Sequence, residues 1–487
     1  MAVALGTYGA FAAVLTEGGG LLVFGQHNYG ELGLGAPTGC QTPDRPSPAL
    51  LGGVGTHMTG CEGGGGGADT HPFGNEALVM VAAGGNHVAA VTDRGGVWAW
   101  GLNHQEQLGP VPLHPDGLPF RSTPARWDAA LCGGSPVAMV ACGEMHTLAL
   151  TRAGLVWSCG YGLHGQTGHE YRGRITEPVQ VPGVESIAMV AAGSRYSMAI
   201  AADGRLWSWG EDDKCPHATA EPPPHPRNET PYLPRALELS VFGGSAVVSA
   251  TAGFFYSAAV TTAGELWTWG VHVRAPQLVA SAAPPFAGAA VSMAACGDCH
   301  AAGAGPPFAG AAVSMAACGD HHVVVLTDSG AVWTFGQAFL GALGHGNDDA
   351  CAVPTRIAQD RFEGARIVSV AAGLDSSMAV TAEGVLYSWG TGASGHGALD
   401  ERVWVPTAVP ATRVPGSRVA RTCALPPGHV LAMCMGVIPR LGDNCVFRPL
   451  FREILERIAA AAGRLSGAYL HMGEGLLRMV AVRLRAG

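Results

Sequence analysis

One pattern recurs seven times in this chain and leaves few folds open to it. VMVAAGGNHVAAVTDRGGVWAWG (79–101) returns as VAMVACGEMHTLALTRAGLVWSCG (137–160), IAMVAAGSRYSMAIAADGRLWSWG (187–210) and VVSATAGFFYSAAVTTAGELWTWG (247–270). VSMAACGDHHVVVLTDSGAVWTFG (313–336) and IVSVAAGLDSSMAVTAEGVLYSWG (367–390) continue the series, and a shorter copy, ALGTYGAFAAVLTEGGGLLVFG, occupies 4–25. Each copy reads as three short strands: a small-residue strand (VAAG), an alternating strand (HVAAVT) and, after a glycine turn, an aromatic strand (VWAWG). Short apolar alternation broken by glycine-bearing turns is the signature of hairpins. A fourth, outer strand is expected in the proline-led connectors TPARW, EPVQV, APQLV and VPTRI. Proline donates nothing to a ladder, so an edge strand tolerates it.

The closing glycines Gly101, Gly160, Gly210, Gly270, Gly336 and Gly390 are 59, 50, 60, 66 and 54 residues apart. A four-stranded unit of that length cannot bury both its faces alone, and closing a ring of such units covers them all. The expected fold is therefore all-β: a seven-bladed β-propeller of four-stranded blades, with a short C-terminal helical extension. Composition agrees. The chain has 72 Gly among 487 residues, 48% hydrophobic residues and only 13% charged ones. That is apolar material enough to offset chain entropy, and glycine enough for many tight turns.

The longest interval holds a near copy of itself, because PPFAGAAVSMAACGD occurs at 284–298 and again at 306–320. Cys296, Cys299 and His300 there spell C-x-x-C-H, the attachment pattern of a c-type haem. The repeat explains the motif otherwise: removing the 22-residue period from the 66-residue interval leaves 44, close to a bare repeat. The first copy is then a slipped duplication of a blade's opening strand, forming a surface loop or a redundant strand. No cofactor is expected.

The unit V-x-x-V-A-A-G-x-x-H-x-x-A-L-T-x-x-G-x-V-W-x-W-G resembles the repeat of the regulator of chromosome condensation family. Gly-Glu-Leu-Gly-Leu-Gly at 30–35 and Gly-Gln-Thr-Gly at 165–168 match that repeat's trailing element. The resemblance covers about residues 1–436 and implies a seven-bladed propeller. Its founding member is a nucleotide exchange factor for the small GTPase Ran, and many relatives are scaffolds or regulatory modules. The resemblance places the G-x-x-H turns around the axis on one face, where such turns meet the GTPase in the exchange factor. Carried over by position, that face holds Asn86, His87, Glu144, Met145, His146, Arg195, Tyr196, Phe255, Tyr256, Asp320, His321 and Asp375. Acids, histidines and aromatics together suit a protein partner, although about half of these residues are expected only to cap turns.

His87, His146 and His322 hold one register position, which Tyr196, Tyr256 and Ser376 fill in other blades. Metal ligation is therefore not what the position requires, and hydrogen-bonded blade residues are expected. Nine of the eleven Trp fall in the V-W-x-W-G strand, so they are expected to pack blade against blade. Cys215, His217 and His225 match no established zinc spacing and read as part of a proline-rich surface loop.

Two features of the exchange factor are missing from the pattern. Its β-wedge has no room in the connector YGLHGQTGHEYRGRITEPVQVPG, and the chain opens in a repeat rather than in a basic arm. There is no P-loop, H-E-x-x-H or G-x-S-x-G. The expected function is a non-catalytic protein–protein interaction propeller, a scaffold or regulatory module. The alternatives are exchange on a Ran-like small GTPase and regulation of a ubiquitin ligase. The residues after Gly436 are too few for a HECT domain, so a ligase role would work in trans.

The remainder is divided as follows. Residues 1–436 form the propeller with a degenerate half repeat at 418–436, insertions at 36–78 and 211–236, and the duplicated 284–305. The half repeat is expected to close a blade with the N-terminal strands or to form an eighth partial blade. Residues 437–487 carry eight Arg and four acidic residues in a chain of net charge −9. Phe447, Leu450, Phe451, Ile454, Leu455 and Ile458 lie at i, i+3, i+4, i+7, i+8 and i+11, which predicts an amphipathic helix. It is expected to dock on the propeller, or else on a partner or an anionic membrane surface. The acidic body argues against a nucleic-acid partner, no apolar run predicts a membrane span, and thirteen scattered Cys read as reduced intracellular thiols in the cytoplasm or nucleus.

Overall fold

In the computed structural model, the described residues lie between 3 and 410, without 7–10, 17–18, 36–44, 52–71, 74–75, 112–116, 118, 212–232, 271–272, 281–292, 295–299, 302–310, 393–394 and 397–401. Seven four-stranded antiparallel sheets follow one another along the chain, at 3–51, 78–126, 137–180, 187–237, 247–280, 313–356 and 367–408. Each is a meander whose strands pair in sequence order, as in blade 3: Val137–Cys142, His146–Thr151, Val156–Tyr161 and Arg174–Gln180. The outer strands Phe120–Arg126, Arg174–Gln180, Val273–Ala280 and Cys351–Arg356 contain the expected proline segments. Each pairs on one side only, which leaves the missing N–H without consequence.

The second strand of every blade is buried along its whole length. Its two faces meet different neighbours. In blade 2, Val88 and Ala90 join Leu21, Val23 and Leu32 on the blade 1 side. Ala89 and Val91 join Val140, Cys142 and Ala149 of blade 3. The core is thus a series of inter-blade layers, and a strand buried on both faces reads as a continuous apolar run.

The innermost strands touch one another in turn around the whole ring, including Val3–Leu5 against Ile367–Ala372. Val3, Leu5, Val14 and Phe24 share one apolar layer with Met378, Val380, Leu386 and Val409. Blade 1 and blade 7 therefore close the ring directly, each with four strands from one continuous stretch. The closing role expected for 418–436 is filled within 3–408, and the segment itself lies outside the described residues, as does the predicted helix of 437–487.

The complete copy of the duplication supplies blade 6's innermost strand, Val313–Cys318. In the first copy, Met293–Ala294 pairs with His300–Ala301 as a separate two-stranded ladder, and Cys296 and Cys299 lie outside the described residues. The insertion at 36–78 contains blade 1's own outer strand, Arg45–Leu51. Cys215, His217 and His225 lie outside the described residues.

Candidate protein-interaction face

Because every blade is a meander, the turns between first and second strands lie on the same face as the loops between third and outer strands. The three residues after each turn glycine serve three different ends.

The fourth position is structural. His87 Nε2 lies 2.9 Å from Thr147 Oγ1, His146 Nε2 lies 2.8 Å from Ser197 Oγ, and His322 Nε2 lies 2.7 Å from Ser377 Oγ, each in the following blade. Those hydroxyls donate their only proton to a backbone carbonyl: Thr147 to Gln107, Ser197 to Gln166 and Ser377 to Ala342. Each hydroxyl must then accept from the ring, which assigns the proton to Nε2 and leaves Nδ1 bare and without a hydrogen-bond partner. Burial disfavours the charged ring, lowering His87 and His146 from 6.5 to about 3 and His322 to about 4. Tyr196 does the same work with a hydroxyl, donating to the Tyr256 carbonyl at 2.9 Å and accepting from Ser257 at 2.9 Å.

The trailing glycine-rich loop completes the latch. Gln166 O accepts both Ser197 Oγ and Trp209 Nε1 (2.9 Å), and Ala342 O accepts both Ser377 Oγ and Trp389 Nε1 (2.9 Å). The second tryptophan of the aromatic strand is therefore a blade-to-blade tie at Trp100, Trp209 and Trp389, whereas Trp269 Nε1 is buried without a hydrogen-bond partner. Two sets of glycines make room. A Cβ on Gly143 would strike the His146 ring and meet Gly193 O at 2.5 Å. A Cβ on Gly160 (φ 106°) would meet Met145 O at 2.5 Å.

The third position points outward, since its carbonyl is used to hold the end of the third strand. Asn86, Met145, Arg195, His321 and Asp375 accept from Leu102, Tyr161, Glu211, Gln337 and Thr391 at 2.8–3.0 Å. Their side chains, and that of Phe255, are half-buried. The second position faces the axis and carries Glu144, Ser194 and Asp320, all buried.

Of the twelve residues expected on this face, His87, His146, Tyr196 and Tyr256 are thus buried between blades. Glu144 and Asp320 line the axis, and the other six reach the surface.

The electrostatics divide the face in two. On the side of blades 3 and 4, Glu144 Oε2 accepts from Ser194 Oγ at 2.5 Å and lies 3.8 Å from Arg195 Nε. Arg195 also lies 3.5 Å from Glu211, whose other oxygen is 3.4 Å from His164 Nδ1. On the side of blades 5 to 7, burial, then the Asp375 and Glu144 carboxylates, push Asp320 up from 3.8 to about 8. Asp375 is raised by its own burial, against an opposing pull from His321. Phe255 and His321 lie 5.2 Å apart with their rings tilted by 39°, and Phe339 meets His321 edge-on at 5.2 Å while remaining 50% exposed.

Ser194, His164, Glu211 and Phe339 belong to this face without having been expected there. Glu211 follows the closing glycine and His164 and Phe339 lie in trailing loops, where the repeated positions are the glycines and not these side chains. Among the described residues, no three His, Cys, Asp or Glu side chains gather as a metal site. Cys132, Cys142, Cys159 and Cys318 are buried thiols outside any disulfide, and burial pushes Cys132 and Cys142 up to about 12.

Seven sheets in a closed ring define a β-propeller. The chain belongs to the RCC1-like domain family, whose model matches residues 21–432. It is 29% identical over 370 residues to the human E3 ubiquitin-protein ligase HERC2, covering 72% of this chain and 7% of the ligase. It is 25% identical over 324 residues to the ultraviolet-B receptor UVR8 of Arabidopsis thaliana, covering 64% of this chain and 65% of the receptor. The chain thus spans less than two thirds of either relative. Among solved structures, Prp20p from Saccharomyces cerevisiae superposes with a TM-score of 0.60 at 22% identity, covering 81% of this chain and 86% of that one. Human WBSCR16 superposes at 0.59 and 24% identity, covering 78% and 86%. At those identities the likeness concerns the fold. Among the described residues, no helix is long and apolar enough to cross a membrane.

Proposed function

We propose that this propeller is a non-catalytic scaffold or regulatory module that holds a protein partner against the face of the first-to-second-strand turns. The observation that carries this reading is Phe339, half exposed and propped on His321, which packs in turn against Phe255. Exposed aromatic surface beside polar groups is what an interaction hot spot offers, because rigid rings bury much area at little entropic cost. Relatives support it by what they handle. The Prp20p structure was described with binding properties to Gsp1p and histones, and yeast RCC1 was solved bound to Kap60. A second reading, nucleotide exchange on a Ran-like small GTPase, is favoured by the resemblance of the turns to those of the exchange factor. A third, a regulatory partner of a ubiquitin ligase, draws on the likeness to HERC2.

The test compares affinity capture by the intact protein, by Phe339→Asp, and by Arg205→Glu in a turn of the opposite face. Loss of the same captured proteins with Phe339→Asp alone supports the reading, and equal capture by all three overturns it. Fluorescent-nucleotide release from Ran and a panel of small GTPases is expected to stay at its intrinsic rate. A many-fold acceleration abolished by Phe339→Asp would replace the scaffold by an exchange factor.

A further inference from the structure

We infer that the blade 5–7 side of this face holds a lysine or arginine side chain of the partner, its charge between Asp320 and Asp375 and its stem against His321 and Phe339. This inference rests on the interaction reading above and names the chemistry of the partner.

The two halves of the face differ in how their acids are answered. Glu144 has Ser194 and Arg195, and Glu211 has Arg195 and His164. Among the described residues, Asp320 and Asp375 form no ion pair. Asp320 is only 4% exposed, and its Oδ1 is buried without a hydrogen-bond donor. An unanswered buried carboxyl is costly, and native structures rarely keep one without a use. The groups facing it are Asp375 and Glu144, which repel its charge, with Glu144 partly neutralised by Arg195. His321, beside Asp375, is lowered mainly by its own burial. At neutral pH the carboxyl therefore keeps its proton, and an arriving cation would displace it.

The second, independent feature is aromatic. Phe255, His321 and Phe339 form a continuous run of rings along the same blades, with Phe339 open to solvent. Aromatic faces attract ammonium and guanidinium groups, and an aliphatic stem packs on them. An acid pair lacking a cation beside such rings complements a basic side chain and repels an acidic one.

The test titrates the intact protein, carrying ring-labelled phenylalanine, with N-acetyl-arginine methylamide and N-acetyl-lysine methylamide. The citrulline and norleucine analogues are the neutral counterparts. Saturable shifts at Phe339 and Phe255, at least about ten-fold tighter for a cationic compound than for its neutral isostere, support the inference. So does a loss of that preference in the Asp320→Asn, Asp375→Asn variant with an unfolding midpoint no lower than the parent's. Equal binding of cationic and neutral compounds overturns it, as does a preference that survives in the double variant. Failure here is distinguishable from failure of the interaction reading, which is decided by whether Phe339→Asp loses its captured proteins.

Discussion

His146 Nε2 lies 2.8 Å from Ser197 Oγ across the boundary of blades 3 and 4, and that one contact fixes the protonation of both groups. The serine proton goes to Gln166 O, so the imidazole donates. Ser197→Ala strands a buried N–H and leaves the Gln166 carbonyl with Trp209 alone. The variant is expected to lose about 1–3 kcal/mol, read as a lower denaturant midpoint at unchanged slope.

The three latch histidines make stability fall in acid. Their folded values of about 3, 3 and 4 lie below the ordinary 6.5, so the unfolded chain binds more protons in between. Stability is full above about pH 6.5 and is lost as pH falls toward 4. His146→Gln keeps a donor and cannot titrate. Its unfolding free energy should change with pH by up to one proton less than that of the parent, as measured by urea unfolding across that range.

Asp320 acts in the opposite sense. Its folded value of about 8 lies above the ordinary 3.8, so the folded state binds the extra proton and this group's contribution worsens as pH rises from about 4 to 8. Asp320→Asn should match the parent near pH 4 and be more stable at pH 8, by an amount on the order of a few kcal/mol. Melting the pair at both pH values checks this, and a variant less stable at pH 8 contradicts it.

Gly143 and Gly183 make a matched pair for the turn. Gly143→Ala drives a methyl into the His146 ring and the Gly193 carbonyl, whereas a Cβ on Gly183 (φ 72°) meets nothing within 4 Å. The first substitution is expected to cost about 3 kcal/mol or more, as overpacking at a latch. The second should cost about 1 kcal/mol, from backbone strain alone. Comparing their unfolding midpoints separates crowding from conformation.

The repeat carried much of this architecture in plain view. Strand order, the proline-bearing outer strands and the inter-blade tryptophans follow from periodicity, because a ring of equivalent blades places equivalent residues alike. The reading of His87, His146 and His322 as hydrogen-bonded blade residues followed from Tyr196 and Tyr256 at the same register. Ring closure was less legible: blade 1 completes itself with Arg45–Leu51, a strand inside what reads as an insertion.

The candidate face shows where such reasoning stops. One turn motif specifies which residues enter it, but only packing assigns the second position to the axis, the third to solvent and the fourth to the neighbouring blade. Phe339 was invisible because its loop repeats its glycines, as GQAFLGALGHG at 336–346 matches GQHNYGELGLG at 25–35, but not its aromatic residue, and it meets His321 through folding alone. Asp320 and Glu144 are far apart in the chain, and no spacing shows that they share the axis. The periodic pattern determined the seven blades, since burying both faces of every sheet has that cyclic solution. Tertiary structure alone decided which acids are answered and which are not, because charge acts through space and the ring brings distant turns together.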